Sequence, residues 1–205
     1  MLKKIIIKLK KNVIWRIKST YHLWIIYNLF NSVEQNIYAL VKEDPKFPFI
    51  KYGSDFDIYT TEMEKFSEHF IKFYEKKNEY NLTFNYKKPG NLQLDLFHNN
   101  QFLYKFDIYS LEYESINHNK NFIPEVVKSR LTKNFFFFKK FQIEIPNATM
   151  DALIRIFELH AFPNKQHHRK KLKSQSNKII LEAEKEINKY SDNSYKNIIK
   201  QITSD

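Results

Sequence analysis

Apolar positions along this chain change their period several times, and each change marks an element. Ile37 to Val41 is a short apolar run that reads as a strand, closed by the polar, proline-bearing loop Lys42–Pro48. The next run, Lys51-Tyr-Gly-Ser-Asp-Phe-Asp-Ile-Tyr-Thr60, alternates. As a strand it turns Phe56 and Ile58 to one face and Asp55 and Asp57 to the other. Thr61-Glu-Met-Glu64 then matches a capping box, and Met63, Phe66, Phe70 and Phe73 recur at helical spacing. Leu82–Tyr86, the turn Lys87–Asn91 and Leu92–His98 read as a β-hairpin. After Asn99-Asn100, a strand is predicted over Phe102–Tyr109, with Phe102, Tyr104, Phe106 and Ile108 on one side and Leu103, Lys105 and Asp107 on the other. Phe135–Phe138 and Phe141–Ile145 suggest further extended structure.

Beyond Pro146 the period becomes helical, with Met150, Leu153, Ile154 and Phe157 on one face. A basic loop, Pro163–Lys173, leads to a helix capped near Ser176, and another helix is expected from Tyr195. These elements predict an α+β protein: a mixed β-sheet flanked by helices over residues 31–146, and a helical C-terminal part over 147–205. Residues 1–30 form a separate N-terminal segment that mixes Lys3, Lys4, Lys8, Lys10, Lys11, Arg16 and Lys18 with apolar groups. Two roles fit it. As a basic amphipathic helix it would lie on an anionic membrane surface; alternatively it packs Trp24, Ile25, Tyr27 and Leu29 on the domain. Its apolar runs are too short to span a bilayer, and it has no secretory-signal pattern.

Composition narrows the picture only in part. Hydrophobic residues make up 42% of the 205 and aromatics 17%, enough for a packed core. There is no cysteine, which excludes disulfides and thiolate metal sites and suits a reducing, cytoplasmic setting. The net charge of +11 favours phosphate-bearing partners. However, the excess of Lys, Asn, Ile, Phe and Tyr over Gly and Ala is also what an A+T-rich coding sequence produces. The charge is therefore heavily discounted as evidence of nucleic-acid binding, and with no recognised module a nucleic-acid partner is not expected.

The chemistry concentrates at Asp55 and Asp57. Two carboxylates two residues apart on a strand share a face, and that arrangement can hold one or two divalent cations. Phosphoryl and nucleotidyl transfer need such a platform, because developing negative charge must be neutralised from fixed positions. The alternative is a solvated strand edge with two ordinary acids.

The order strand, loop, acid-x-acid strand, helix, and hairpin with a further acid resembles the nucleotidyltransferase fold. The segment Leu29–Thr60 resembles the opening of nucleotidyltransferase-like proteins from bacterial surface-polysaccharide and capsule gene clusters. Leu92-Gln-Leu-Asp-Leu-Phe-His98 is similar to the strand that carries their third carboxylate, and Asp151–His168 to the helical segment that follows. The resemblance implies Asp55, Asp57 and Asp95 as catalytic carboxylates and ligands of Mg²⁺ or Mn²⁺. Asp107 is the rival for the third position; Asp95 is preferred because it follows the hairpin turn. Gly53, Ser54, Lys42, Lys51, Arg155 and Lys165 are the expected nucleotide- or phosphate-binding residues. The implied reaction moves a nucleotidyl group from a nucleoside triphosphate to a sugar-phosphate or other glycan precursor, in the cytoplasm or peripherally on the inner face of the membrane.

In one respect the chain departs from that superfamily. The Gly-Gly or Gly-Ser turn that cradles the triphosphate usually lies about ten residues before the acids, whereas here Gly53-Ser54 abuts them. This keeps a second class in play, a non-catalytic binding or scaffold protein at the membrane, and a third, an RNA-modifying or toxin-type transferase. His160, His167 and His168 lack both cysteine companions and the spacing of a zinc helix. No Walker loop, serine triad or dinucleotide fingerprint is present.

Overall fold

The computed structural model describes residues 20–42, 50–113, 121–136, 140–190, 195, 199–200 and 202. The first nineteen residues, on which the membrane-surface reading mainly rests, lie outside the described residues. Among those described, no helix is long and apolar enough to cross a membrane. The architecture is α+β. A helix over residues 20–32 (α1) precedes β1 (Tyr38–Val41), β2 (Asp55–Thr60), α2 (Met63–Glu75), β3 (Tyr80–Lys88), β4 (Asn91–His98) and β5 (Gln101–Tyr109). Then follow α3 (Phe122–Lys128), β6 (Arg130–Phe136), β7 (Lys140–Pro146), α4 (Ala148–Ala161), α5 (Gln166–Lys173) and α6 (Asn177–Ile187).

The strands β1 to β5 form one mixed sheet in the order β1-β2-β5-β4-β3; β6 and β7 pair separately. Only β2 and β5 run parallel. The connection between them, through α2 and the β3–β4 hairpin, is long enough to bring the second strand back beside the first, as parallel pairing requires. Side-chain alternation then sorts the sheet. Phe56, Ile58, Phe106, Ile108, Leu92, Leu94 and Leu96 enter a core covered by α1 (Leu23, Ile26, Tyr27, Phe30) and α2 (Phe66, Phe70, Tyr74). Phe56 stacks on Phe106 at 5.1 Å between ring centroids, and Phe70 meets Phe106 edge-on at 5.0 Å.

The opposite face is covered over only part of its width. Ala39, Val41 and Tyr59 join a second core with Phe122 and Val126 of α3 and Leu153 and Phe157 of α4. Farther across, on β5, β4 and β3, the same face carries Lys105, Asp107, Gln93, Asp95 and Asn85 in their place. The helical roof therefore ends over Asp57, and an open polar floor begins there.

Two local expectations are corrected. The capping box at Thr61 does not form: Glu62 is the N-cap without a side-chain hydrogen bond, and Thr60 Oγ1 accepts the Glu62 N–H instead. Thr60 is held in that role because its hydroxyl also donates to the Ile37 carbonyl. The basic stretch read as a loop to Lys173 contains a helix, α5, whose Leu172 joins the second core and whose His168 is buried beside Arg155. Its apolar pattern is too sparse to show periodicity. Residues 20–32 follow the packing alternative, with Ile25, Tyr27 and Leu29 buried.

Both glycines have positive φ, but they differ in what surrounds them. A Cβ on Gly53 (φ +81) meets nothing within 4 Å, whereas on Gly90 (φ +71) it falls 2.3 Å from the Tyr113 nitrogen. Gly53→Ala is expected to lose only the left-handed penalty, about 1–2 kcal/mol. Gly90→Ala should lose clearly more, because backbone would have to move. Denaturant unfolding of the two variants checks the order.

Candidate functional site

Parallel pairing of β2 with β5 sets Asp55 level with Lys105 and Asp57 level with Asp107. Adjacent strands lie about 5 Å apart, so Asp57 and Asp107 stand abreast on one face. Like charges directly opposite on neighbouring strands repel, and this pair is held by cations brought from both sides. From the floor, Lys105 Nζ reaches Asp55 Oδ2 at 2.8 Å and Asp107 Oδ2 at 3.0 Å. From the end of β1, Lys42 Nζ reaches Asp57 Oδ1 at 3.0 Å and Glu158 Oε1 of α4 at 3.2 Å. Lys42 takes a positive φ of 55, a left-handed backbone that a non-glycine residue adopts at a cost of about 1–3 kcal/mol. Tyr109 closes the cluster: its hydroxyl donates to Asp57 Oδ1 at 3.5 Å, and Lys42 Nζ lies 5.7 Å from its ring centroid.

Asp107 Oδ1 is buried without a hydrogen-bond partner, and Lys87 Nζ stands 3.9 Å from it. Burial pushes the Asp57 carboxyl up, against the pull of Lys42, and the negative charges of Asp107 and Glu158 add to the rise. Burial opposes charge on Lys42 and Glu158 as well. Their mutual attraction, with Asp57 acting on Lys42 and Lys165 on Glu158, outweighs it: the ammonium is held above its usual range and the Glu158 carboxyl below.

Glu158 leads into a second layer of charge. Lys165 Nζ ion-pairs with Glu158 Oε2 and stays partly exposed at the mouth of the cluster. Arg155 Nε donates to Asp151 Oδ2 at 2.8 Å, and its Nη1 lies 3.2 Å from His168 Nδ1. A guanidinium has no acceptor, so His168 Nδ1 must be the unprotonated nitrogen, leaving Nε2–H directed toward Glu158 Oε2 at 3.9 Å. Burial, His167 and Arg155 together drive His168 down to about 3, so it is a neutral histidine.

Asp55, Asp57, Asp107, Lys42 and Lys165 are thus brought together. Asp95 is not: it shares the face but lies one strand farther out, opposite Lys105, and accepts from Gln93 Nε2 at 2.7 Å and Asn85 Nδ2 at 3.4 Å. Position beside Asp57 belongs to Asp107, because β5 and not β4 is the neighbour of β2. Arg155 is buried with its Nε and Nη1 directed at Asp151 and His168, which removes it as an exposed phosphate contact. Lys51 is exposed and joins none of the ion pairs among the described residues. Gly53 N–H donates to the Leu103 carbonyl and Ser54 N–H to the Lys51 carbonyl, so neither amide is turned out to cradle a phosphate. Sequence reasoning missed Lys105, Tyr109 and Glu158. Lys105 alternates in phase with Asp107, a signal that was present, whereas Glu158 had none, lying on a helix that reaches the site only through packing.

The donors fit a hard divalent ion in one respect and not in another. Carboxylate oxygens on adjacent strands, one of them buried without a hydrogen-bond partner, suit Mg²⁺, which takes one or two carboxylates and keeps water for its other positions. Among the described residues, no group of three His, Asp or Glu side chains is arranged to enclose an ion. A platform of two carboxylates, not a cage, is what the geometry offers.

Removing Lys42 would strand Asp57 and Glu158. Lys42→Met should cost about 3–5 kcal/mol, whereas Lys72→Met, which breaks an exposed i,i+4 pair with Glu68, should cost under about 1 kcal/mol. Stability should also fall with acid. Between pH of about 6.5 and about 3 the unfolded chain binds a proton at His168 that the native chain does not. Stability is therefore complete above that window and is lost as pH falls through it. His168→Gln should flatten the stability–pH curve there by up to ~1.4 kcal/mol per pH unit in equilibrium unfolding. No protein-family model and no curated protein matches the chain, so its chemistry must be read from its own side chains.

Proposed function

We propose that this chain is a Mg²⁺- or Mn²⁺-dependent nucleotidyltransferase-like protein, acting on a nucleoside triphosphate and a sugar-phosphate or related glycan acceptor. The observation that carries the reading is the pair Asp57–Asp107, abreast on the parallel strands β2 and β5 with one buried oxygen lacking a hydrogen-bond partner. The order of elements supports it: β1, the acid strand, a helix, a hairpin, then a strand returning beside the first acids. In this reading Asp57 and Asp107 would hold the ion, with Asp55 two residues before Asp57 on the same strand. Such an ion, when bound, neutralises charge building on the transferred phosphoryl oxygens.

The chain's own residues would do the rest. Lys165, partly exposed beside Glu158, offers a cation to the polyphosphate at the mouth of the site. Lys42, clamped between Asp57 and Glu158, fixes the carboxylate's orientation. The open floor of β4 and β3, with Gln93, Asp95 and Asn85, is where a hydroxyl-bearing acceptor would lie. Surface-glycan assembly on the cytoplasmic face, with peripheral membrane contact through the basic N-terminal segment, belongs to the same proposal; its support is the resemblance and the charge of that segment.

One observation favours a second reading, a non-catalytic binding or scaffold protein. Lys42 and Lys105 already pair with Asp55, Asp57 and Asp107, and an inactive relative would keep such internal cations permanently. The two readings separate by calorimetry with Mn²⁺ and nucleoside triphosphates: saturable binding favours the enzyme, and none favours the scaffold. For the enzyme, Asp57→Asn and Asp107→Asn should each lower metal-dependent turnover of labelled nucleotide more than the roughly 10–100-fold seen on losing an outer supporting residue. Asp95→Asn should fall within that range. Full turnover in Asp107→Asn would remove the proposal.

A further inference from the structure

Lys105 occupies an unusual position on the floor of the site. Its cross-strand neighbours on that face are both acidic, Asp55 on β2 and Asp95 on β4, and Asp107 follows two residues later on its own strand. Its ammonium takes Asp55 and Asp107, at 2.8 and 3.0 Å. Asp95 is left with the neutral amide donors Gln93 and Asn85. A lysine is a compact charge on a flexible four-carbon stem, so turning from one set of carboxylates to the other needs only side-chain rotation. Directly opposed Cβ atoms on antiparallel strands stand about 5 Å apart, well within that stem's reach. The other oxygen of Asp107 is buried without a hydrogen-bond partner, with Lys87 Nζ 3.9 Å away, so Lys105 leaves part of the cluster's hydrogen-bonding capacity unfilled.

We propose that Lys105 is a movable internal counterion, which neutralises Asp55 and Asp107 while no divalent cation is bound and swings to Asp95 when one binds at Asp57 and Asp107. The proposal rests on the reading of those carboxylates as cation ligands. An ion held by Asp107 would stand within a few ångströms of the Lys105 ammonium on the same carboxylate. Lys42 keeps Glu158 as a second partner against such repulsion, whereas the carboxylate to which Lys105 can withdraw is Asp95, now bonded to neutral amides. Asp95 is therefore a receiving group rather than a metal ligand, which gives a reason for a carboxylate one strand away from the cluster. The exchange also turns the floor more positive at the moment an anionic nucleotide must be bound.

Mn²⁺ alone is the probe, titrated into the full chain and followed by the electron paramagnetic resonance of the free ion. Lys105→Met and the second neutral variant Lys105→Gln should bind Mn²⁺ about tenfold or more tightly than wild type, because no resident cation must be displaced. Lys105→Arg keeps the charge and should stay near wild type. Asp95→Asn, which removes the receiving carboxylate, should bind about threefold or more weakly. Unchanged affinity in both neutral variants, or equal tightening in Lys105→Arg, overturns the exchange, and wild-type affinity in Asp95→Asn overturns the swing to Asp95. Absence of Mn²⁺ binding in every protein overturns the cation reading itself, and this inference with it.

Discussion

Two aspartates abreast on adjacent strands are the constraint around which this molecule is arranged. Asp57 and Asp107 share a register position on β2 and β5, and a like-charged pair at that spacing destabilises a sheet unless cations lie close by. The chain supplies them from two directions. Lys105 comes from within the sheet, and Lys42 from the end of β1 in a left-handed conformation that lysine does not favour by itself. Relieving the pair thus takes a lysine in a left-handed backbone and a chain of buried ion pairs.

The same charges tie the two cores together. Glu158 lies on α4, whose apolar face belongs to the second core, yet its carboxylate meets Lys42 at the edge of the sheet. Lys165 and His168 then connect that carboxylate to α5, and Arg155 to Asp151. A buried ion is costly to desolvate, so each member is tolerable only while its partners stay in place. The helical C-terminal part is thereby fixed over one half of the polar face, leaving the other half open. A cleft of about 700 Å³ past the ends of β2 and β5, lined by Thr61, Met63, Tyr86 and Gly90, shares no residue with the carboxylate cluster.

Much of the fold was legible because local periods are strong. Phe56 and Ile58 against Asp55 and Asp57, and the aromatic spacing of α2, locate a strand and a helix with no tertiary information. The hairpin at Pro89-Gly90 was legible from its turn residues. Helix α5 was not, since only His168 and Leu172 among its eight residues are buried. The capping box failed because Thr60, the residue before it, bonds first to the Ile37 carbonyl and the Glu62 amide.

What the sequence determined by itself was the face on which each acid lies: alternation along a strand is a local property, so Asp55 with Asp57, and Lys105 with Asp107, needed no partner strand. It could not decide which strands become neighbours. Asp95 and Asp107 are equivalent by pattern, and only the sheet order β1-β2-β5-β4-β3 sets Asp107 beside Asp57 and Asp95 one strand beyond. Glu158 and Lys42 are separated by over a hundred residues and meet only because α4 packs its apolar face on Ala39, Val41 and Tyr59. Local periodicity assigns faces; nonlocal packing of those faces decides which charges meet.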